Sequence, residues 1–236
     1  MLEIRNLRFA YRERTVLRNV SFVVSPGEVV SIVGANGAGK TTLLKVLSTL
    51  AMPDGGNVIF DGHDAFSDQL KYRRSLGYLP ETPALYEDMS VSEYLHYRAS
   101  IKGEMDKRIR RRVEEASEMC RVRDFMKTPI RKLSWGMKKR VQLADAMLLR
   151  PRVLLLDDFL AGLDCTMRAA AGEILHTVAA FSSVIVTGHD LEDMAAWTTR
   201  FLILKDGIIE AEVPTAGVET SALKTRIDGL IKGSLK

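Results

Sequence analysis

The stretch Gly34-Ala-Asn-Gly-Ala-Gly-Lys-Thr-Thr42 fits the pattern G-x-x-x-x-G-K-[ST], a loop that closes around phosphates. Its glycines let backbone N–H groups approach an anion, its lysine supplies a point charge, and its first hydroxyl can ligate magnesium. Gly34, Ala35, Asn36, Gly37, Ala38, Gly39, Lys40, Thr41 and Thr42 are therefore assigned to nucleotide phosphates, with Thr41 also a metal ligand. Magnesium bridging phosphates calls for a carboxylate opposite that hydroxyl. Val153-Leu-Leu-Leu-Asp-Asp158 supplies two at the end of an apolar run, Asp157 as the metal partner and Asp158 as the acid facing an attacking water. A strand-end aspartate often does no more than open a turn, but the phosphate loop upstream favours the chemical reading. His189, after the apolar run Val184-Ile-Val186, is by itself more often a packed or solvent-facing residue than a catalytic one.

These side chains need a scaffold. Apolar Val29 to Val33 before the loop and Leu43 to Leu50 after it predict a buried strand feeding the loop and then a helix. Leu2 to Leu7 and Val16 to Val24 read as opening strands, closed by the turn Ser25-Pro-Gly27. Pro53 to Gly56 and Asp61-Gly62 are turns around Asn57-Val-Ile-Phe60, which predicts a small antiparallel hairpin. Leu76-Gly-Tyr-Leu79, Val153 to Leu156, Val184 to Val186 and Phe201 to Leu204 are further strand-length apolar runs. Strands separated by helices imply a largely parallel α/β sheet. Between about Val91 and Met126 the apolar spacing turns helical, another helix starts at Leu133-Ser134 and runs through Met137 to Leu149 with Ser134 as its N-cap, and a short helix spans about Leu223 to Ile231.

The bulk composition sets bounds. With 236 residues, 46% hydrophobic and 27% charged, the chain can build a sizeable core. It contains no apolar run of the roughly 18 residues that would cross a bilayer. Its N-terminus, Met1-Leu-Glu-Ile-Arg5, lacks a secretion signal's order, so a cytosolic protein is expected. Cys120 and Cys165 have no metal-ligand or framework spacing and read as reduced thiols. Of the net charge of +4, part sits in Lys107-Arg-Ile-Arg-Arg-Arg112, where Glu114, Glu115 and Glu118 follow at helical spacing. That pattern reads as a solvated helix face before it reads as a nucleic-acid surface.

Tyr11, Gly34 to Thr42, Tyr78-Leu-Pro-Glu81, Leu133-Ser-Trp-Gly-Met137, Leu154 to Asp158, Ala161-Gly-Leu-Asp164 and Thr187-Gly-His-Asp190 occur in this order along nearly the whole chain. Taken together they resemble the ATP-binding subunit of an ABC transporter, of an exporter-like branch. The resemblance implies a P-loop NTPase α/β fold with a mainly parallel core sheet, an antiparallel β lobe and a helical subdomain. It also implies a single ATP-binding domain over 1–236, with its core roughly at 1–88 and 150–212, the helical subdomain roughly at 89–149 and a tail at 213–236. ATP and Mg2+ are the implied cofactors. In this family Tyr11 would stack on adenine, Glu81 would join Thr41 and Asp157 at the metal, and Asp158 and His189 would serve the attacking water and the γ-phosphate. Ser134, Gly136 and Met137 would meet the γ-phosphate of a nucleotide held by a second ATP-binding subunit, identical or not, with Asp164 speaking across that interface. An integral membrane permease is the further partner and nucleic acid is not expected, which places the protein in the cytoplasm, peripheral on the inner face of the cell membrane.

Several residues depart from the family pattern. Asp158 replaces the common glutamate, and the missing methylene would set its carboxylate about 1.5 Å short of the same water. Misplacement on that scale can cost around a hundredfold in rate. Glu81 stands for the common glutamine, Trp135 and Met137 for glycine and glutamine, and Phe159-Leu160 where proline is usual. Two other readings stay open: a degenerate ATP-binding switch with little turnover, and a non-transport member acting on nucleic acid.

Overall fold

The computed structural model describes residues 1–82, 84–163 and 165–233, without the side chains of Cys165 and Thr166. In chain order the strands are β1 (Leu2–Tyr11), β2 (Arg14–Val24), β3 (Val29–Val33), β4 (Gly55–Phe60), β5 (His63–Asp64), β6 (Leu76–Leu79), β7 (Val153–Leu156), β8 (Ser183–Thr187), β9 (Arg200–Lys205) and β10 (Ile208–Pro214). The helices are α1 (Lys40–Leu47), α2 (Gln69–Arg74), α3 (Val91–Ile101), α4 (Asp106–Met119), α5 (Trp135–Met147), α6 (Cys165–Ala179), α7 (Leu191–Ala195) and α8 (Thr220–Lys232).

The strands form one sheet in the order β5-β4-β1-β2-β10-β9-β3-β8-β7-β6. From β9 to β6 every pairing is parallel, and from β5 to β2 every pairing is antiparallel. β10 joins the halves, antiparallel to β9 and meeting β2 in parallel at Ile208 and Asn19. Parallel strands are covered on both faces, so their side chains divide between two cores with the strand period of two. Leu154 and Leu156 of β7 belong to one core, together with Val184, Val186 and the apolar faces of α3 to α6, while Val153 and Leu155 join Ile185, Leu43, Leu44 and Leu47 in the other.

Several elements differ in extent from their sequence reading. β1 runs on to Tyr11 and turns back through a tight loop in which Arg12 takes φ 53°, so Tyr11 pairs with Arg14. α1 stops at Leu47, before the left-handed Thr49, and α5 stops at Met147. α2, α6 and β10 have no counterpart in the apolar runs; β10 is mostly exposed on alternate residues.

Between Val91 and Met147 only helices and two 3-10 turns occur. Ser90 caps α3 through a reciprocal pair with Glu93, which satisfies two N–H groups the helix would leave open. α3 is tied to α5 by Asp145, nearly buried, whose Oδ1 lies 3.0 Å from Arg98 Nε and 2.9 Å from Lys102 Nζ. The basic run of α4 is paired on its own surface, Arg110 with Glu114 and Arg111 with Glu115, while Arg112 reaches Glu104 at 2.8 Å. Cys120 is buried as a free thiol. Among the described residues no helix is long and apolar enough to cross a membrane.

Candidate nucleotide site

β3 is buried along its whole length and delivers the chain straight into the phosphate loop. A Cβ at Gly34 would fall 2.2 Å from the carbonyl oxygen of Leu204, so only glycine lets the loop leave the sheet here. Gly39, at φ 108°, is the N-cap of α1 and brings no side-chain cap. The first bond of the helix ladder is Leu43 N–H to Gly39 O at 2.8 Å, so the amides of Lys40, Thr41 and Thr42 remain for another acceptor. Those amides and the positive end of the helix suit an anion. Lys40 Nζ donates to the carbonyls of Gly34 at 2.8 Å and Ala35 at 3.2 Å. Burial pulls its pKa below the ordinary lysine value, against the pull of Asp158, Asp157 and Glu81, which favour the charge.

Asp157 directly follows β7 and is buried. Its Oδ1 accepts from Thr187 Oγ1 at 2.7 Å and Thr41 Oγ1 at 3.2 Å, which brings the residues at the ends of β7, β8 and the loop to one point. Its Oδ2 is equally buried and has no hydrogen-bond partner among the described residues. An orphaned carboxylate oxygen beside a threonine hydroxyl is a hard-oxygen pair that fits Mg2+, which takes one or two protein ligands and fills its shell with phosphate oxygens and water. Asp158 follows in the left-handed region at φ 45°, half-buried, and its N–H donates to Thr187 Oγ1 at 2.9 Å.

A cleft of about 650 Å³ joins Tyr11, Asn36, Gly37, Gly39 to Thr42, Glu81, Asp157, Asp158 and His189. Tyr11 is 47% exposed at its edge, its ring set edge-on against Phe9 with centroids 4.8 Å apart. Glu81 follows β6 and His189 follows β8, both exposed. Gly34, Ala35 and Ala38 shape the loop from behind; Ala38 N–H donates to Ala35 O at 3.1 Å. Ser134, Gly136 and Met137 do not line this cleft. They form the head of α5, where exposed Ser134 caps the helix by accepting from Met137 N–H at 3.3 Å. Asp164 lies outside the described residues.

Sequence reasoning gave no role to three residues that matter here. Thr187 orients both aspartates; in the sequence it stood out only as the first residue of the motif Thr187 to Asp190. Arg14 lines the cleft beside Tyr11. Lys139 is wholly buried, although it stands between two other basic residues, Lys138 and Arg140.

A largely parallel sheet that delivers a glycine-rich phosphate loop beside a strand-end aspartate defines the protein as a P-loop NTPase. The chain belongs to the ABC transporter family, whose family model matches residues 17–161. It is 34% identical over 216 residues to a putative ABC transporter ATP-binding protein of Streptococcus mutans, covering 90% of this chain and 38% of that protein's length. It is 30% identical over 240 residues to the uncharacterized ABC transporter ATP-binding protein YxlF of Bacillus subtilis, covering 98% of this chain and 80% of that one. The dimeric structure of MJ0796, described as a bacterial ABC transporter cassette, superposes with a TM-score of 0.83 at 27% identity, covering 92% of this chain and 100% of that one. A second structure of that cassette is a post-hydrolysis dimer bound to ADP and phosphate. The chain is thus an ABC-type ATP-binding domain.

Proposed function

We propose that the protein is the ATPase subunit of a transporter, that two ATP-binding subunits close around two ATP molecules, and that closure drives a separate membrane-spanning partner. The observation that carries this reading is the division of the site within one chain. The phosphate loop, Asp157, Asp158 and His189 share one cleft, while the capped helix start at Ser134 to Met137 stands outside it. A helix head with exposed amides suits a γ-phosphate, and in this reading that phosphate belongs to the nucleotide of the second subunit.

In the closed pair, Tyr11 stacks on the adenine ring and the amides of Gly37 and of Gly39 to Thr42 hold the phosphates with Lys40. Thr41, Asp157 and Glu81 would hold Mg2+. The metal would supply neutralisation of the charge on the phosphates. Asp158 accepts a proton from the attacking water and His189 holds the γ-phosphate in line. Asp158 is one methylene shorter than the family's usual glutamate, so turnover is slow. The core at roughly 1–88 and 150–212 carries the nucleotide, and the helical segment at roughly 89–149 carries the docking surface for the permease. Tyr78-Leu-Pro-Glu81 favours export, and the subunit sits on the cytoplasmic side of the membrane through its partner.

The test is Asp158→Asn with MgATP. Without its base the variant binds ATP but stalls, so light scattering should show an ATP-dependent dimer that ADP does not form. A chain that binds MgATP tightly yet stays monomeric at every protein concentration would contradict the shared site.

A further inference from the structure

Lys139 lies one helical turn inside α5 and is fully buried; Asp158, Asp157 and Glu81 favour its charge from nearby, but among the described residues none of them forms a salt bridge with it. Its Nζ donates instead to two backbone carbonyls, Glu81 O at 2.9 Å and Asp158 O at 3.3 Å. These carbonyls belong to the chain just after β6 and just after β7, the two strand ends that carry the acids of the cleft. A buried ammonium is costly, and a well-packed apolar side chain often replaces such a charge without loss of stability. Its presence therefore calls for a reason other than packing.

The backbone it grips gives that reason. Asp158 holds a left-handed φ of 45°, which a residue with a Cβ keeps only where its surroundings over-determine it. Its carbonyl accepts from Lys139 and also from Ala161 N–H at 3.2 Å, and its amide donates to Thr187. The same ammonium also faces the head of α5. Trp135, four residues earlier and hence on the same face, places its ring 5.9 Å from the Lys139 ammonium and donates its indole N–H to Ala161 O at 3.3 Å. Trp135 directly follows the N-cap Ser134, outside the cleft, while Asp158 and Glu81 lie inside it.

We propose that Lys139 is a positioning residue that fixes the Asp158 turn and the Glu81 strand end to the head of α5, so that nucleotide in the cleft is felt at Trp135 and Ser134. The inference rests on the nucleotide-site reading above, and it adds a route within one chain between the two half-sites. Displacing Asp158 by about 1 Å costs on the order of a hundredfold in rate without touching the groups that bind phosphate.

The experiment uses the full chain with Trp197→Phe, which leaves Trp135 as the single tryptophan; Trp197 packs on Gly172, away from the cleft. Lys139→Met and Lys139→Gln are compared with Lys139 intact. At protein concentrations too low for two chains to pair, so that no partner nucleotide reaches the helix head, MgATP should change Trp135 emission in the intact chain. In Lys139→Met it should bind with a Kd within about threefold, leave the emission unchanged, and turn over at least tenfold more slowly at similar KM. Lys139→Gln keeps an N–H2 that can reach one carbonyl and should recover part of both signals; it carries the comparison if the methionine variant does not fold. A methionine variant with the intact chain's emission response and kcat overturns the proposal. So does a parallel fall in affinity, kcat and Tm, the mark of a packing residue. Failure of the intact chain to bind MgATP overturns the nucleotide-site reading and this inference with it, whereas intact binding with an unaltered response in Lys139→Met overturns this inference alone.

Discussion

Thr187 Oγ1 stands 2.7 Å from Asp157 Oδ1 and 2.9 Å from the amide nitrogen of Asp158. One hydroxyl at the end of β8 donates to the first carboxylate and accepts from the backbone of the second. Both acids of the cleft are thereby referenced to a neighbouring strand of the sheet. Removing this hydroxyl leaves a buried carboxylate with one fewer donor and an amide without its acceptor.

Thr187→Val preserves shape and deletes both bonds, so it should destabilise the fold by about 1–3 kcal/mol. The loss is read as a lowered Tm. Turnover should fall further than the Tm alone accounts for, because Asp157 then loses its orientation toward Thr41. A variant with unchanged Tm and unchanged magnesium dependence would remove Thr187 from the account.

Tyr11→Ala should weaken MgATP binding roughly tenfold, the usual range for one aromatic stacked on a base. Tyr11→Phe should stay close to the parent because the contact uses the ring face. Titration with a fluorescent ATP analogue separates the two. Equal binding by all three chains would show that the adenine lies elsewhere.

Much of the site was legible in the chain itself because its chemistry is local. The loop from Gly34 to Thr42 carries its own glycines, lysine and hydroxyl, and the buried run Val153 to Leu156 leads directly into Asp157 and Asp158. The parallel half of the sheet was legible for the same reason: strands buried on both faces read as continuous apolar runs. What was hidden depends on pairing between distant segments. β10 alternates exposed residues with half-buried ones and buried Val213, and exists because β9 lies beside it. Tyr11 reached the cleft because β1 continues past Leu7 in register with β2, with bulges that no local pattern announces. Lys139 was invisible because its partners are backbone carbonyls, which carry no sequence identity.

The helical segment should show an acid-dependent stability. Although burial pushes the Glu104 carboxyl up, the hydrogen bond and charge of Arg112 prevail and hold it below the usual carboxylate value. A lowered folded-state pKa contributes stability above the unfolded pKa of about 4.3, and that contribution is lost as pH falls through the folded value. Arg112→Met should therefore move the onset of acid unfolding to higher pH, as followed by circular dichroism. Superimposable acid-unfolding curves would contradict the assignment.

Asp158→Glu restores the methylene and should raise the ATPase kcat by an order of magnitude or more, given the cost of a misplaced base. KM for ATP should stay near the parent because the phosphate ligands are untouched. A glutamate variant no faster than the parent would mean that the backbone already compensates for the shorter side chain.

The shared site is tested most directly by mixing two disabled chains. Lys40→Met removes the phosphate-loop charge of its own cleft, and Ser134→Arg blocks the helix head offered to the partner's nucleotide. Each variant alone has no intact site, but a mixed dimer pairs the intact Lys40 of one subunit with the intact Ser134 of the other. The account predicts that ATP turnover, absent from either variant, returns when the two are mixed. No recovery on mixing, with mixed dimers present, or a fully active Ser134→Arg chain, would contradict it.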